Sequence, residues 1–203
     1  MWVFGYGSLL WNPGFEYVQC QLATLSGYHR SFCMRSIHHR GTPEAPGLVL
    51  ALDEQADALC HGMALLVPAA RRQQTLSYLR ERELVSSAYV EKTLLIVLAD
   101  GSTVSALTYV VDPDHVQYCG ALSMEEQALI ISRAVGGRGA NSDYLYKTAH
   151  QLADMGICDA DLSWLSTLSL EMPITTALMF EKSGCRSRKA HDSKVQPGVS
   201  SLG

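Results

Sequence analysis

The stretch AYVEKTLLIVLADGSTVSALTYVV, residues 88–111, contains two apolar runs on either side of a short polar turn. The turn is Ala99-Asp100-Gly101. An Asp-Gly pair between apolar runs is a strong signal for a β-hairpin, because glycine accepts the positive φ that tight turns need. We therefore predict two adjacent antiparallel strands, residues 88–98 and 102–111.

Upstream of this hairpin the chain has further strand-like runs. The opening WVFGYG, residues 2–7, is a short apolar strand that enters a turn. The segment 20–36 alternates well enough for strands, with a turn predicted at Ser26-Gly27. The runs 48–52 and 60–67 are predicted to be two strands joined by the polar turn Asp53-Glu54-Gln55.

Helical patterns interrupt and follow the strands. One follows Pro68, at residues 69–83; a second begins with Ser123, and Glu126 three residues later completes a capping box. A third is expected between Asn141 as N-cap and Gly156 just after its end, followed by a short helix at 159–168. Because strands come mostly as neighbours and do not alternate with helices, we predict an α+β fold, a small mixed or antiparallel β-barrel with flanking helices.

The composition favours one globular domain with a tail. We expect a domain at residues 1–180 and a polar, disordered tail at 181–203. The net charge of −4 argues against nucleic-acid binding and against a polybasic membrane surface. No apolar run approaches the roughly 18–20 residues of a membrane span, and the N-terminus lacks signal-peptide features. The cytosol is therefore the expected location.

The cysteines and histidines do not form a recognisable metal motif. None of the six cysteines belongs to a C-x-x-C pair, and they are expected to stay reduced. His38 and His39 are adjacent in a loop, a spacing that rarely ligates one metal ion. We expect no metal site.

The opening MWVFGYGSLLWNPGF, residues 1–15, has two interpretations. Gly5-Tyr6-Gly7 lacks the third glycine of a dinucleotide fingerprint, since Leu10 stands there, and Ser8 lacks the flanking pattern of a serine nucleophile. The glycines either tolerate positive φ in a plain turn, or allow main-chain N–H groups to approach a ligand.

Glu83 is the carboxylate most suggestive of catalysis. On a helix at about 100° per residue, Leu76, Leu79 and Glu83 share one narrow sector, whereas Glu81 and Arg82 point well away from it. A carboxyl group on a buried face often has a raised pKa and serves as a general acid or base. The alternative is a helix that ends earlier, with Glu83 exposed or in an ion pair with Arg80. Tyr144, one turn inside its helix, faces either a pocket or the core.

Taken together, these pieces resemble one known family. The segments VFGYGSLLWNPGF, GYHRSFCMRS, HRGTPEAPGLVLAL, YLRERELVSSAY, DPDHVQYCGALSMEEQALII and GANSDYLYKTAHQLADMGICDADL occur in the order found in ChaC-like γ-glutamylcyclotransferases. The resemblance covers roughly residues 2–168. It departs at Ser87-Ala88, where the family commonly has glycine before the tyrosine.

The resemblance implies the γ-glutamylcyclotransferase-like fold and cleavage of glutathione, a small-molecule substrate, to 5-oxoproline and cysteinylglycine without a cofactor. It assigns catalysis to Glu83, which follows Arg82 and precedes Tyr89 as the family pattern requires. It also assigns substrate binding to the pocket residue Tyr144 and to the opening loop Val3, Phe4, Gly5, Tyr6, Gly7, Ser8 and Leu9.

Three matters stay open at this point. The substrate is glutathione or, alternatively, other γ-glutamyl amino acids or amines, and a non-catalytic γ-glutamyl-binding module is the alternative from a different class. Charge alone makes Arg30, Arg35 and Arg40 candidates for binding the glycine end of glutathione. The sequence gives no oligomeric state.

Overall fold

A computed structural model describes residues 1–172 of the chain. Five strands form a closed barrel in the order β1-β3-β2-β4-β5. Strand β1 pairs antiparallel with β3 and parallel with β5, so the barrel is mixed, and the predicted α+β barrel with flanking helices is confirmed. The barrel strands are β1 Trp2–Gly5, β2 Gln19–Ser36, β3 Gly47–Leu66, β4 Tyr89–Leu98 and β5 Thr103–Val111.

The hairpin predicted from residues 88–111 is formed by β4 and β5. The strands are in register from Tyr89 opposite Val111 to Val97 opposite Thr103. Gly101 in the turn has φ +84°, the left-handed conformation that favours glycine. The Asp100 carboxylate accepts hydrogen bonds from the main-chain N–H and the hydroxyl of Ser102, which closes the turn.

Two predicted turns, at Ser26-Gly27 and Asp53-Glu54-Gln55, are wrong. Strands β2 and β3 each continue through these positions, and the pairing shifts register there. Gly27 on β2 stands opposite residues 55–58 of β3, and its φ of +81° belongs to an irregularity within the ladder. Glycine and exposed polar residues suit a bulge as well as a turn, so the local pattern did not distinguish the two.

The helices begin near their predicted positions. The predicted capping box between Ser123 and Glu126 is formed at the start of the second helix. Gly156, just beyond the third helix, has φ +72°, as its predicted position requires. Residues 1–172 form four helices and a small hairpin: α1 Arg72–Glu83 after a 3₁₀ turn at Ala69–Arg71, α2 Met124–Arg133, β6 Val135–Gly136, β7 Gly139–Ala140, α3 Asn141–Asp154 and α4 Ala160–Glu171.

Asn141 is not the N-cap that the sequence suggested, since Ala140 occupies that position. The Asn141 side chain is fully buried, accepts a hydrogen bond from Leu48 N at 2.6 Å and donates one to Leu48 O at 2.7 Å. These two bonds fix the first turn of α3 against β3. They satisfy polar groups that would otherwise be buried without partners.

Two apolar clusters hold the opening strand between them. Phe4 belongs to the larger cluster, which fills the barrel and extends to α2, α3 and α4. Val3 belongs to the second cluster, where Leu79 of α1 packs on the barrel. Both side chains are 0% exposed, so the end of β1 and the loop after it have a fixed position.

No helix within residues 1–172 is long and apolar enough to cross a membrane. The predicted tail, residues 181–203, and the predicted domain end at residue 180 lie outside the described residues.

Candidate active site

A cavity of about 220 Å³ opens where β1 ends and the loop of residues 6–9 begins. It is lined by this loop, the end of α1, residues 34–40 at the end of β2 and beyond it, the β6–β7 hairpin and the first turn of α3. Apolar walls with several converging polar groups are typical of a small-molecule site.

Most of the residues predicted for the site line this cavity together: Phe4, Tyr6, Gly7, Ser8, Leu9, Glu83 and Tyr144. Val3 and Gly5 are not among the lining residues in the described part of the chain. The Val3 side chain instead packs in the second apolar cluster, on the far side of β1.

The opening loop lies close to neighbouring side chains at its two glycines. Neither Gly5 nor Gly7 has a positive φ, so the expectation that these glycines serve to accept positive φ is wrong. A Cβ at Gly7 would lie 3.0 Å from the Tyr144 hydroxyl, and one at Gly5 would lie 3.0 Å from Leu9 Cβ. Glycine at position 7 therefore brings the main chain directly against the phenol of α3.

Glu83 is the last residue of α1 and faces the cavity. Its side chain is 19% exposed, and Arg82 Nε lies 3.0 Å from its Oε1. The geometry is that of an ion pair without an aligned hydrogen bond, because this buried oxygen accepts none from residues 1–172. Burial raises the pKa of the Glu83 carboxyl, while the charges of Arg82 and Arg138 oppose that rise without cancelling it.

The surroundings of Glu81 and Arg80 answer two questions that the sequence left open: which carboxylate of α1 is buried, and whether Arg80 pairs with Glu83. Glu81 is exposed, as the helical wheel predicted. Arg80 pairs with Glu91 of β4 through bonds of 2.9 and 2.7 Å, so the suggested ion pair between Arg80 and Glu83 is wrong. Of the two carboxylates near the end of α1, Glu83 alone lines the cavity.

The expectation that Arg82 points away from the buried face is wrong. Its side chain is 8% exposed and reaches back to the opening loop. It donates to Ser8 Oγ at 2.8 Å, to the carbonyls of Asn12 and Pro13, and to the Tyr78 hydroxyl at 3.0 Å. Arg82 therefore ties the end of α1, which carries Glu83, to the loop that carries Gly7 and Ser8.

Two buried tyrosines, Tyr6 and Tyr144, and the half-buried Tyr89 contribute neutral hydroxyl groups near the cavity. The Tyr6 hydroxyl donates to Tyr109 O and the Tyr89 hydroxyl to Leu50 O, each at 2.9 Å. Burial raises the pKa of the Tyr6, Tyr89 and Tyr144 phenols, which keeps all three protonated. The Tyr144 ring is held edge-on by Trp11 and Phe32.

The arginines suggested by charge have different positions. Arg30 is outside the cavity lining and 4% exposed, and it donates to Tyr6 O at 2.6 Å, to His61 O and to the Asp159 carboxylate. It holds the opening loop from behind. Arg40 lines the cavity but donates to the carbonyls of Arg138 and Ala140. Arg35 lines the cavity and is exposed.

Sequence reasoning missed Arg82, His39 and Arg138 as cavity residues. The spacing of Tyr78 and Arg82, four residues apart on one helix face, was a signal available in the sequence. In the structure the Arg82 guanidinium lies 6.0 Å from the Tyr78 ring centre. Arg138 had no local signal, since its hairpin contacts residues far away in sequence. Among residues 1–172, no cluster of three or more potential ligands could hold a metal ion.

Comparison with known proteins gives concordant matches. Residues 1–171 match the family of ChaC-like proteins. The glutathione-specific γ-glutamylcyclotransferase of Escherichia coli K12 is 36% identical over 163 residues, covering 80% of this chain and 70% of that protein. Glutathione-specific γ-glutamylcyclotransferase 1 of Danio rerio is 36% identical over 151 residues, with 73% and 77% covered.

Solved structures support the fold. A yeast γ-glutamylcyclotransferase specific to glutathione superposes with a TM-score of 0.76 at 24% identity, covering 84% of this chain and 95% of that one. YkqA from Bacillus subtilis superposes with a TM-score of 0.55 at 17% identity, covering 85% of this chain and 55% of that one. At these levels of sequence identity, the two structures show only that the fold is shared.

Proposed function

This chain belongs to the family of ChaC-like proteins, and we propose that it cleaves glutathione to 5-oxoproline and cysteinylglycine. The observation that carries the proposal is the pairing, in one cavity, of a buried carboxyl group with a raised pKa and a glycine loop packed against a phenol. The relatives from Escherichia coli and Danio rerio, named for this activity, support the choice of glutathione.

The reaction is an internal acyl transfer. The α-amine of the γ-glutamyl group attacks its own γ-carbonyl carbon, a C–N bond closes the five-membered lactam, and the bond to the cysteine nitrogen breaks. Two protons leave the α-ammonium group, and both are needed by the departing amine, which ends as an ammonium. Since the attack is intramolecular, a site that holds the reactive conformation supplies much of the acceleration.

Glu83 is the group proposed to move these protons. A carboxyl group with a raised pKa is a stronger base than an ordinary glutamate and releases its proton more readily to a departing amine than a lysine would. One carboxylate can accept each proton from the α-amine and pass it to the leaving nitrogen in turn. The Glu83 side chain lines the cavity and remains 19% exposed, which supports a role in exchanging protons with a bound substrate.

The opening loop is proposed to hold the γ-glutamyl group. Gly7 allows the main chain close approach, and the N–H groups at the start of the short 3₁₀ helix Ser8–Leu10 have no partners within that helix. Such donors suit the α-carboxylate or the oxyanion that develops on the γ-carbonyl. The Tyr144 hydroxyl, close to Gly7, is a neutral donor at the same place.

The proposal also includes the substrate partner and the cellular location of the enzyme. Glutathione is its small-molecule partner, and the cytosol is its proposed location.

The test is incubation of the purified protein with glutathione and detection of both products by mass spectrometry. Glu83→Gln should lower the rate by about 10²–10⁴-fold, the range for a general acid–base group. Glu81→Gln is the matched control, because Glu81 is exposed on the same helix and should keep full activity. A folded protein that yields product from γ-glutamyl amino acids but not from glutathione would overturn the substrate, and equal activity of Glu83→Gln would overturn the base.

A further inference from the structure

The cavity contains more positive charge than the proposed chemistry uses. Four arginines line it: Arg35, Arg40, Arg82 and Arg138. The guanidinium groups of Arg40 and Arg82 are occupied by main-chain carbonyls, a serine and a tyrosine. Those of Arg35 and Arg138 make no hydrogen bond or ion pair with any residue in the range 1–172. Two cations are thus available to a ligand.

Arg138 is the one that lies near the proposed base. Its charge acts on the carboxyl group of Glu83 and on the imidazole of His39. The main chain of Arg35, by contrast, is bonded on both sides to Gln117, at 2.8 Å each, whereas the main-chain N–H of Arg138 donates to His39 O at 2.9 Å. A ligand in contact with Glu83 therefore extends more easily to Arg138 than to Arg35.

The hairpin β6–β7 fixes the position of Arg138. The main-chain N–H groups of Gly137 and Arg138 donate to the carbonyls of His38 and His39, each at 2.9 Å. Arg40 Nη1 donates to Arg138 O at 2.7 Å. A Cβ at Gly136 would lie 2.4 Å from Gly41 N, so main chain packs directly on main chain. The exposed Arg138 side chain therefore projects from a well-anchored turn.

The two halves of the substrate differ in how deep they must lie. The γ-glutamyl group has to reach Glu83 and the opening loop, which are buried. The departing dipeptide then extends toward the mouth, where Arg138 is exposed. Two extended residues span about 7 Å, and the dipeptide carries one carboxylate, at its glycine end.

We infer that Arg138 binds the terminal carboxylate of the cysteinylglycine half and thereby selects glutathione over γ-glutamyl compounds that lack it. This inference rests on the proposed function. It assigns the glycine end to a residue other than the three that charge alone suggested. Guanidinium groups bind carboxylates through paired hydrogen bonds, so the contact is directional as well as electrostatic.

The experiment compares glutathione with its C-terminal amide, in which the glycine carboxylate is neutral. Wild-type protein should show kcat/KM about 10- to 100-fold higher for glutathione, as expected for a hydrogen-bonded charge pair. Arg138→Ala should lose this preference by slowing glutathione turnover while leaving the amide nearly unaffected. Arg138→Lys should keep part of the preference. Arg35→Ala is the matched control, and it should leave the ratio between the two substrates unchanged.

Two results would overturn the inference. An equal fall in kcat/KM for both substrates in Arg138→Ala would place the arginine at the γ-glutamyl end. Alternatively, the preference for glutathione could survive in Arg138→Ala. Calorimetric binding of both compounds to Glu83→Gln, with and without Arg138→Ala, gives the same comparison without turnover, so a failure of the proposed reaction is distinguished from a failure of this inference. Thermal melting of each variant checks that the fold is intact.

Discussion

Arg80 and Arg82 of helix α1 each lie beside a glutamate, and the pKa values of the two glutamates shift in opposite directions. On the outer face, Glu91 accepts hydrogen bonds from Arg80 Nε, Arg80 Nη2 and the Tyr109 hydroxyl. On the cavity face, Glu83 has Arg82 beside it at ion-pair distance but no aligned donor on Oε1. Hydrogen bonds to Arg80 lower the pKa of Glu91, whereas burial raises the pKa of Glu83.

The exposed fractions of the two side chains do not account for this difference. They are similar, 23% for Glu91 and 19% for Glu83. The exposed part of Glu83 faces a concave cavity, where little water solvates the charge, and its arginine is engaged with the opening loop. What an arginine does to a nearby carboxylate therefore depends on hydrogen-bond alignment and solvation as well as on distance.

Among changes made in parallel on the two faces, the largest effect is expected from shortening the cavity carboxylate. Glu83→Asp keeps the charge but withdraws it by about one methylene, and a displacement of about 1 Å in a catalytic group can cost about 10²-fold in rate. Glu91→Asp, the same change on the outer face, should alter kcat by less than about threefold. Steady-state kinetics with glutathione compares them, and similar losses in both would contradict the division between the two faces.

Gly7→Val should have the next largest effect. The new side chain would meet the Tyr144 hydroxyl, since even a Cβ lies 3.0 Å from it. We expect kcat/KM to fall at least about tenfold, mainly through KM, because the loop proposed to hold the γ-glutamyl group is displaced. Thermal melting is measured in parallel. A loss of stability that accounts for the whole loss of activity would favour a purely structural role for the loop.

Arg82→Lys tests the link between α1 and the opening loop. Lysine keeps the positive charge near Glu83 but cannot reach Ser8, Asn12 and Tyr78 together, as the guanidinium does. We expect a loss of about 1–3 kcal/mol in unfolding free energy, from buried acceptors left without donors. Urea unfolding measures it, with Arg80→Lys as control. An effect no larger than that of Arg80→Lys would show that the link contributes little.

The smallest predicted effect concerns stability and has opposite signs for the two glutamates. Because the pKa of Glu83 is raised on folding, the ionised form destabilises the fold, and the cost appears as pH rises from the ordinary glutamate value through the raised one. Glu83→Gln should thus raise the melting temperature at neutral pH, by roughly 2–4 °C for each 1 kcal/mol relieved.

Glu91 behaves in the reverse way. Its pKa is lowered, so its contribution is present above the ordinary glutamate value and is lost as pH falls through the lowered one. Glu91→Gln should lower the melting temperature slightly at neutral pH and have no effect in acid. Calorimetric melts across pH measure both variants, and shifts of the same sign at neutral pH would contradict the comparison.

The sequence correctly predicted features whose hydrogen bonds join residues close together in the chain. The turn at Asp100-Gly101 and the capping box at Ser123 and Glu126 form as expected, because their hydrogen bonds join residues close in sequence. Glu83 was placed by the period of one helix and by resemblance to the family. These features were accessible without tertiary contacts.

Features that depend on distant contacts were not accessible. The direction of the Arg82 side chain depends on Ser8, 74 residues away, and the position of Arg138 depends on Arg40, 98 residues away. Arg30 was suggested as a substrate ligand on charge alone, yet it is bonded to three other segments. A helical wheel shows which side of a helix is apolar, but it does not show which polar side chain finds acceptors there.

The most direct test of the account is a titration of the two carboxyl groups by carbon-13 NMR, with Glu83→Gln and Glu91→Gln used to assign the signals. Glu83 is expected to titrate above the ordinary glutamate range and Glu91 below it, in the same sample. Turnover of glutathione should fall in acid as Glu83, and not Glu91, becomes protonated. A Glu83 signal that titrates at or below the ordinary value would contradict the assignment of Glu83 as the base.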